Sequence, residues 1–471
     1  MRSILLAVLF STAPGAFAAG VADHPEVRGA QRLFEAWLLG QMAYRGLPGV
    51  VAGVVHDQDL IWARGFGFAD LDRRIPMTPA TKFRMASHSK LFTATAIMQL
   101  REAGRLRLDD PVSKHLPWFR IRPASPDDPP VTVEELLTHS SGLPREAGPH
   151  WSTRDFPAAG DVRRFVESSQ AALPPETRWK YSNLAYTLAG MIVETLSGET
   201  WAEYLQKHIF EPLGMTDSSV DRPVDGLATG YGRRMPDGSR ARMPFVDARG
   251  MAAATGITST VGDMAKFVAL QFRKGPTGGS QILSTGSLRE MHRVRVLENN
   301  WQRGSAIGFA VSREKDKVYV GHGGSYFGYK THTLIQLSDR VGVIVLTNGD
   351  DSVPSDLALR LMQTVGEAVA KATKPPESPQ WDPSWSRFAG LYRNDWGDTH
   401  VIELDRALVV IDPTAREPLP PNRLIPIGGD RFRLEASSGG VAVGEVVRFT
   451  EENGRVVRMH TGETYADRVQ Q

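Results

Sequence analysis

Phe83-Arg84-Met85-Ala86-Ser87-His88-Ser89-Lys90 is the stretch on which the reading of this chain turns. It opens a segment, Ser87 to Gly104, that is apolar at Leu91, Phe92, Ala94, Ala96, Ile97, Met98 and Leu100. Those positions run almost all the way round a helix, so the helix is expected in the middle of the molecule. Ser87 and Lys90 are three residues apart and share one face across a single turn. Ser87 stands at the helix start, where unpaired backbone N–H groups can stabilise an oxyanion. A serine hydroxyl is a poor nucleophile until a neighbour takes its proton. Lys90 can take it only as a neutral amine, which means lowering a pKa of ~10.4 to near 7, about 4–5 kcal/mol of perturbation. Taken alone, S-x-x-K is a weak signal that a chain this long carries about once or twice by chance.

On the N-terminal side, Val27 to Ala43 has a helical pattern, and Gly49 to Val55 and Leu60 to Gly67 read as strands joined by a turn at His56-Asp57-Gln58-Asp59. Gly65-Phe66-Gly67 lacks the third glycine of a dinucleotide fingerprint and reads as a strand end. On the C-terminal side come two capping boxes, Thr132-Val133-Glu134-Glu135 and Thr200-Trp201-Ala202-Glu203. A helix from Leu184 to Leu196 stops at Gly198. Strands return at Thr331 to Leu337 and Val341 to Thr347, and a helix near Ser355 to Ala372 follows. This order implies an α/β layer whose sheet is completed by both ends of the region, with a helical insertion between them. Lys374 to Trp385 carries four prolines and reads as a linker. Beyond it, Val401 to Ile411, Phe432-Arg433-Leu434 and Val446 to Phe449 read as strands, and Asn453-Gly454 is a hairpin signal. Residues 386–471 are therefore expected to form a small all-β barrel or sandwich.

The 471 residues suffice for a large core without a disulfide or metal staple. With 55 Lys+Arg against 53 Asp+Glu, the formal charge of +2 gives no electrostatic footprint for nucleic acid or an anionic membrane. The absence of cysteine excludes thiolate catalysis, Cys-ligated zinc and iron–sulfur clusters. There is no G-x-S-x-G elbow, no H-E-x-x-H and no G-x-x-x-x-G-K-[ST], and the twelve histidines lack metal-ligand spacing. No metal and no cofactor is expected, and His139 reads as a loop or packing residue. Arg2, the apolar run Ile4 to Phe10 and the small residues of Ala16-Phe17-Ala18 read as a cleavable leader over residues 1–18. No stretch reaches the ~18 apolar residues of a spanning helix. Export is expected, to the periplasm in a Gram-negative host.

Two further motifs set the Ser87 stretch in context. Tyr181-Ser182-Asn183 stands immediately before the Leu184 helix, and His322-Gly323-Gly324 just before the returning strands. These three motifs in this order resemble the serine β-lactamase and penicillin-recognising hydrolase family. Within it they are closest to the class C-like branch of class C β-lactamases, D-Ala-D-Ala carboxypeptidases, D-aminopeptidases and family VIII carboxylesterases. Leu136-Leu137-Thr138-His139-Ser140-Ser141-Gly142-Leu143, Pro212-Leu213-Gly214-Met215-Thr216 and Thr255-Gly256-Ile257-Thr258-Ser259-Thr260 are similar too. The resemblance covers roughly residues 28–372. It implies an antiparallel sheet flanked by helices, with the all-helical insertion, over residues 19–373. It also makes Ser87 the acylated nucleophile, Lys90 its helical partner, Tyr181 the second basic group and Asn183 the substrate-positioning amide. The backbone N–H groups of Ser87 and Ser325 take the place of the oxyanion hole. Either neutral Lys90 is the base, or charged Lys90 lowers the pKa of Tyr181, which then serves; the coupled pair leaves both open.

The third motif departs from the class C lactamases, in which K-T-G grips the substrate carboxylate. Here His322 replaces the cation and Gly323 removes the hydroxyl, while Gly324 is kept. That departure favours acyl substrates without a carboxylate at this place. Phe388-Ala389-Gly390-Leu391-Tyr392 opens a C-terminal segment that resembles, more weakly, the lipocalin-like modules of some members. The expectation is an exported serine hydrolase acting on a small ester or peptide-like amide through acyl-Ser87. A β-lactamase is the alternative with the same mechanism, and a non-catalytic penicillin-binding-type protein is the alternative of another class.

Overall fold

The computed structural model describes residues 20–373, 381–413, 422–435 and 442–470, in two compact units that divide between residues 373 and 374. The leader expected at residues 1–18, and residues 374–380 of the expected linker, lie outside the described residues.

The first unit opens with α1 (Pro25–Arg45), followed by β1 (Gly49–His56), β2 (Asp59–Asp70) and β3 (Ile75–Pro76). A small sheet joins β4 (Phe83–Arg84), β5 (Ser219–Val220) and β6 (Ile257–Ser259) in the order β4-β6-β5. Then come β7 (Val296–Leu297), β8 (Arg303–Ser305), β9 (Ala310–Glu314), β10 (Lys317–Tyr326), β11 (Tyr329–Gln336) and β12 (Val341–Thr347). The main sheet among the described residues is β3-β2-β1-β12-β11-β10-β9-β8-β7, antiparallel at every pair from β1 outward. The two ends of the region therefore meet at its centre, where Val54 lies opposite Val343. Because side chains alternate along a strand, Val50, Ala52 and Val54 face α1 and the helices of residues 354–373. Val51 and Val55 face the opposite core. This two-sided burial is why β1 and β12 read as unbroken apolar runs.

That opposite core is built on α2 (Ser89–Glu102), whose seven apolar positions singled out above are all buried. Phe92 sits 4.3 Å from the ring of Phe267 and 5.6 Å from that of Phe210. Phe92→Ala is expected to cost about 3–5 kcal/mol, read as a lower midpoint of denaturant unfolding. Both capping boxes form, and the helix Asn183–Ser197 ends on Gly198 at φ 77°.

Among the described residues, the second unit closes eight antiparallel strands, in sequence order from Gly390 to Arg468, into a barrel. Trp385, Phe388, Tyr392 and Phe432 fill its interior, and Phe388 stacks on Phe449 at 4.3 Å. Trp385, expected at the end of the linker, is thus part of the barrel core, on a 3-10 turn over Pro383–Phe388. Val401 to Ile411 is not one strand. It is a hairpin of Gly397–Leu404 and Ala407–Ile411, with Asp405 and Arg406 both at positive φ. The hairpin at Asn453-Gly454 forms as expected, with φ of 51° and 74°.

Candidate active site

The chain enters the site through a strained turn. Ala86, a non-glycine residue, has φ 51°, a left-handed conformation that costs energy and persists only where neighbours enforce it. Ser89 enforces it from within, donating its Oγ proton to Ala86 O at 2.7 Å and accepting from Ile257 N–H at 3.0 Å. His88 enforces it from below, with one ring nitrogen 3.0 Å from Thr331 Oγ1 and the other 2.9 Å from Thr333 Oγ1. The 3-10 turn Ala86–His88 then runs into α2. Ser87, half-buried, is left at the helix start with Lys90 one turn on.

Lys90 is fully buried and donates to Asn183 Oδ1 at 2.7 Å, to Ala254 O at 2.8 Å and to Ser87 Oγ at 3.2 Å. The first two acceptors cannot move a proton toward lysine, so they fix two N–H bonds. The third tetrahedral position of Nζ is aimed at Ser87, and in the neutral amine it is a lone pair. Burial pushes the Lys90 pKa down to about 7, against the opposing pull of the Glu146 carboxylate and with some help from Arg145. Tyr181 donates its O–H to Ser87 Oγ at 2.8 Å. Its pKa is raised above the ordinary phenol range, chiefly by burial. At neutral pH the tyrosine therefore keeps its proton, whereas the lysine is divided between amine and ammonium. Between the two base assignments left open by the sequence, this geometry and these shifts favour Lys90.

Local structure holds the second motif in place. Ser182 caps the helix Asn183–Ser197 by accepting from Ala185 N–H at 3.0 Å, which puts Tyr181 just outside the helix and Asn183 in its first turn. His139, at φ 61°, accepts from Ser182 N–H through Nδ1 at 3.2 Å and packs on the Tyr181 ring at 4.3 Å. It is a packing residue, as expected, and it positions Tyr181. Sequence reasoning missed the rest of the chain that leads away from Lys90. Asn183 Nδ2 donates to Glu146 Oε1 at 2.7 Å, and buried His150 lies 3.0 Å from Glu146 Oε2. The signal for Glu146 was only its place three residues beyond Leu143, where the family-like stretch Leu136 to Leu143 ends. The Ala254 carbonyl, just before Thr255-Gly256, had no side chain to announce it.

The third motif lies inside β10, not before the strands. Gly324 explains the close approach: a Cβ there would stand 2.3 Å from Met85 O and 2.4 Å from Thr331 Oγ1. Only a glycine lets this strand run along the turn that carries Ser87. Gly323 pairs with His332 and Ser325 with Lys330, both on β11. Pairing with β9 stops at Gly321, so His322 to Tyr326 present one edge without a strand partner among the described residues. His322 is buried, which pushes its pKa down to about 3, with the Lys90 charge adding to the effect. The ordinary value near ~6.5, which would let His322 become a carboxylate-binding cation in mild acid, does not apply here. Direct hydrogen bonds thus join Ser87, Lys90, Tyr181 and Asn183, and β10 brings His322, Gly323, Gly324 and Ser325 alongside. Among the described residues no group of acidic and histidine side chains is arranged to hold a metal ion, and no helix is long and apolar enough to cross a membrane.

The sequence profile of the family described as Beta-lactamase matches residues 34–365. Protein flp of Staphylococcus aureus strain N315 is 30% identical over 308 residues, which are 64% of this chain and 60% of that protein. The same protein of strain MRSA252 matches at 31% over 174 residues, 37% of this chain and only 35% of its own length. The putative penicillin-binding protein PbpX of Bacillus subtilis strain 168 is 31% identical over 220 residues, 46% of this chain and 53% of that one. The chain thus spans between about a third and three fifths of the curated relatives named here. The octameric penicillin-binding protein homologue from Pyrococcus abyssi superposes with a TM-score of 0.64 at 26% identity, covering 93% of this chain and 99% of that one. A D-stereospecific amidohydrolase from Streptomyces sp. shares the fold, with a TM-score of 0.58 at 22% identity over 71% of this chain and 98% of its own.

Proposed function

We propose, from the premise that this chain belongs to the β-lactamase family, that it is a serine hydrolase that cleaves esters or peptide-like amides through acyl-Ser87. One observation carries the reading: Ser87 Oγ stands 2.8 Å from a phenol that holds its proton and 3.2 Å from a buried amine poised to take one. Neutral Lys90 accepts the Ser87 proton as Oγ attacks the substrate carbonyl carbon. The oxyanion is received by the N–H groups of Ser87 and Ser325. Collapse breaks the bond to the leaving atom, which takes the Tyr181 proton and departs as an alcohol or amine. The ammonium of Lys90 restores the phenol, and water repeats the sequence on the acyl-enzyme. Asn183 holds Lys90 in register and offers its amide edge to the substrate.

Tyr181→Phe keeps the ring that packs on His139 and removes the proton donor. It is expected to lower kcat about 10²-fold with little change in KM, because the proton transfer is felt in the transition state. Steady-state kinetics on a p-nitrophenyl ester read it, and a loss below tenfold would make Tyr181 a structural side chain.

Substrate choice tests the reading as a whole. A charged, hydrogen-bonded grip on a carboxylate is worth roughly 1.5–3 kcal/mol, and buried neutral His322 supplies none. kcat/KM for p-nitrophenyl butyrate or a D-amino-acid amide is therefore expected to exceed that for nitrocefin by about two decades. Lowering the pH to 5.5 should not rescue nitrocefin, since His322 does not titrate there. Nitrocefin as the best substrate would replace this reading with a β-lactamase, and no turnover of any of the three would replace it with a non-catalytic binder.

A further inference from the structure

We infer that the cavity beside Tyr181 is the leaving-group site, and that it takes an uncharged, apolar alcohol or amine and rejects one bearing a carboxylate. The inference rests on the acyl-Ser87 reading and adds the chemistry of the group that departs. A cavity of about 430 Å³ opens from Tyr181 and His322 and extends between β8, β9 and the start of the helix Pro354–Leu361. That volume lies in the range of small-molecule sites. Asn183 and Glu146 do not line it. Ser87 does not line it either; Tyr181, which does, donates to Ser87 Oγ at 2.8 Å and on the proposed mechanism protonates the leaving atom.

Three features of the lining select the occupant. Leu137, Phe309, Leu334 and Leu359 give it apolar walls. His322 directs Nδ1 at Gly323 O, 2.5 Å away. A carbonyl only accepts, so Nδ1 carries the ring proton and Nε2 is left as an acceptor with no hydrogen-bond partner among the described residues. When the leaving atom takes the proton of Tyr181 it becomes an O–H or N–H donor, which suits that acceptor. A carboxylate has only acceptors to offer. Trp179, the indole in the lining, already spends its N–H on Ser305 Oγ at 2.6 Å. Among the described residues of the lining, Glu298, Glu314 and Asp356 outnumber the guanidinium of Arg303, so a second anion meets net repulsion.

The test holds the acyl group constant and varies the alcohol: acetate esters of ethanol, 4-phenylbutanol and 6-hydroxyhexanoate, followed by pH-stat. The phenylbutyl ester is expected to exceed the ethyl ester in kcat/KM by at least about tenfold, and the carboxylated ester to fall about tenfold below the phenylbutyl ester. Ala310 is exposed and lines the same cavity. Ala310→Trp should fill it and bring the ratio of phenylbutyl to ethyl ester close to one, with the melting temperature confirming a folded protein. Equal rates for all three esters, a preference for the carboxylated one, or an undiminished ratio in Ala310→Trp would each overturn the assignment. These outcomes are read on enzyme that labels at Ser87 with a fluorophosphonate and hydrolyses the ethyl ester. Absence of both would instead remove the acyl-Ser87 reading itself.

Discussion

Ser87→Ala is expected to abolish ester hydrolysis, with kcat falling at least about 10⁴-fold, while the protein stays folded. Nucleophile deletions in serine hydrolases remove nearly all of the catalysis that the assembled groups supply together, leaving only what binding and the oxyanion donors give. The fold has little stake in the hydroxyl. Ser87 is half-buried, and among the described residues its Oγ is met only by Tyr181 and Lys90. The turn is held instead by Ser89 and His88. The measurement is kcat on p-nitrophenyl butyrate beside a thermal melt. Activity within tenfold of the parent, with an unchanged melt, would place the nucleophile elsewhere.

Lys90→Met should cost at least about 10³-fold in kcat and change the pH profile as well as the rate. On the proposed mechanism the lysine of the parent works as the free amine, and burial pushes its pKa down to about 7. The active form is scarce below that pH and dominant above it, so kcat/KM rises with pH through about 7 and then levels. His322 lies too low and Tyr181 too high to add a limb between pH 5.5 and 8.5. In Lys90→Met the residual rate should lose this limb. A retained limb near pH 7 would assign it to another group, and a rate loss without any change of profile would make Lys90 a packing residue. The variant strands Asn183 Oδ1 and Ala254 O, each about 1–3 kcal/mol if left buried without a donor. A denaturant titration separates that effect from catalysis.

What the sequence could show was local. The unbroken apolar circumference of α2, both capping boxes, the Gly198 stop and the Asn453-Gly454 turn depend on neighbours within a few residues, and each is found where it was expected. Ser87 and Lys90 were legible as a pair for the same reason. Tyr181, Asn183 and His322 were legible only through the order of motifs, because the contacts that join them cross more than 90 residues of chain. The bond from Asn183 to Glu146 crosses 37 residues and leaves no periodicity, which is why Glu146, and with it His150 four residues on, went unseen. The short strands β7 to β9 and the glycine-rich β10 have little intrinsic strand character. They are strands because the sheet extends to them and because Gly324 must pass Met85. Val401 to Ile411 misled in the opposite sense. Its apolar alternation continues across a tight turn whose two residues, Asp405 and Arg406, both adopt the left-handed conformation, which Asp tolerates but Arg does not announce.

The most direct test of the central claim is to quench a reaction with p-nitrophenyl butyrate in acid during turnover, digest the protein and locate the acyl group by mass spectrometry. The account predicts one butyryl group on Ser87, present in the parent and absent from Ser87→Ala. A butyryl group on Ser89, Ser140 or Ser325, or full turnover with no acylated serine at all, would contradict it.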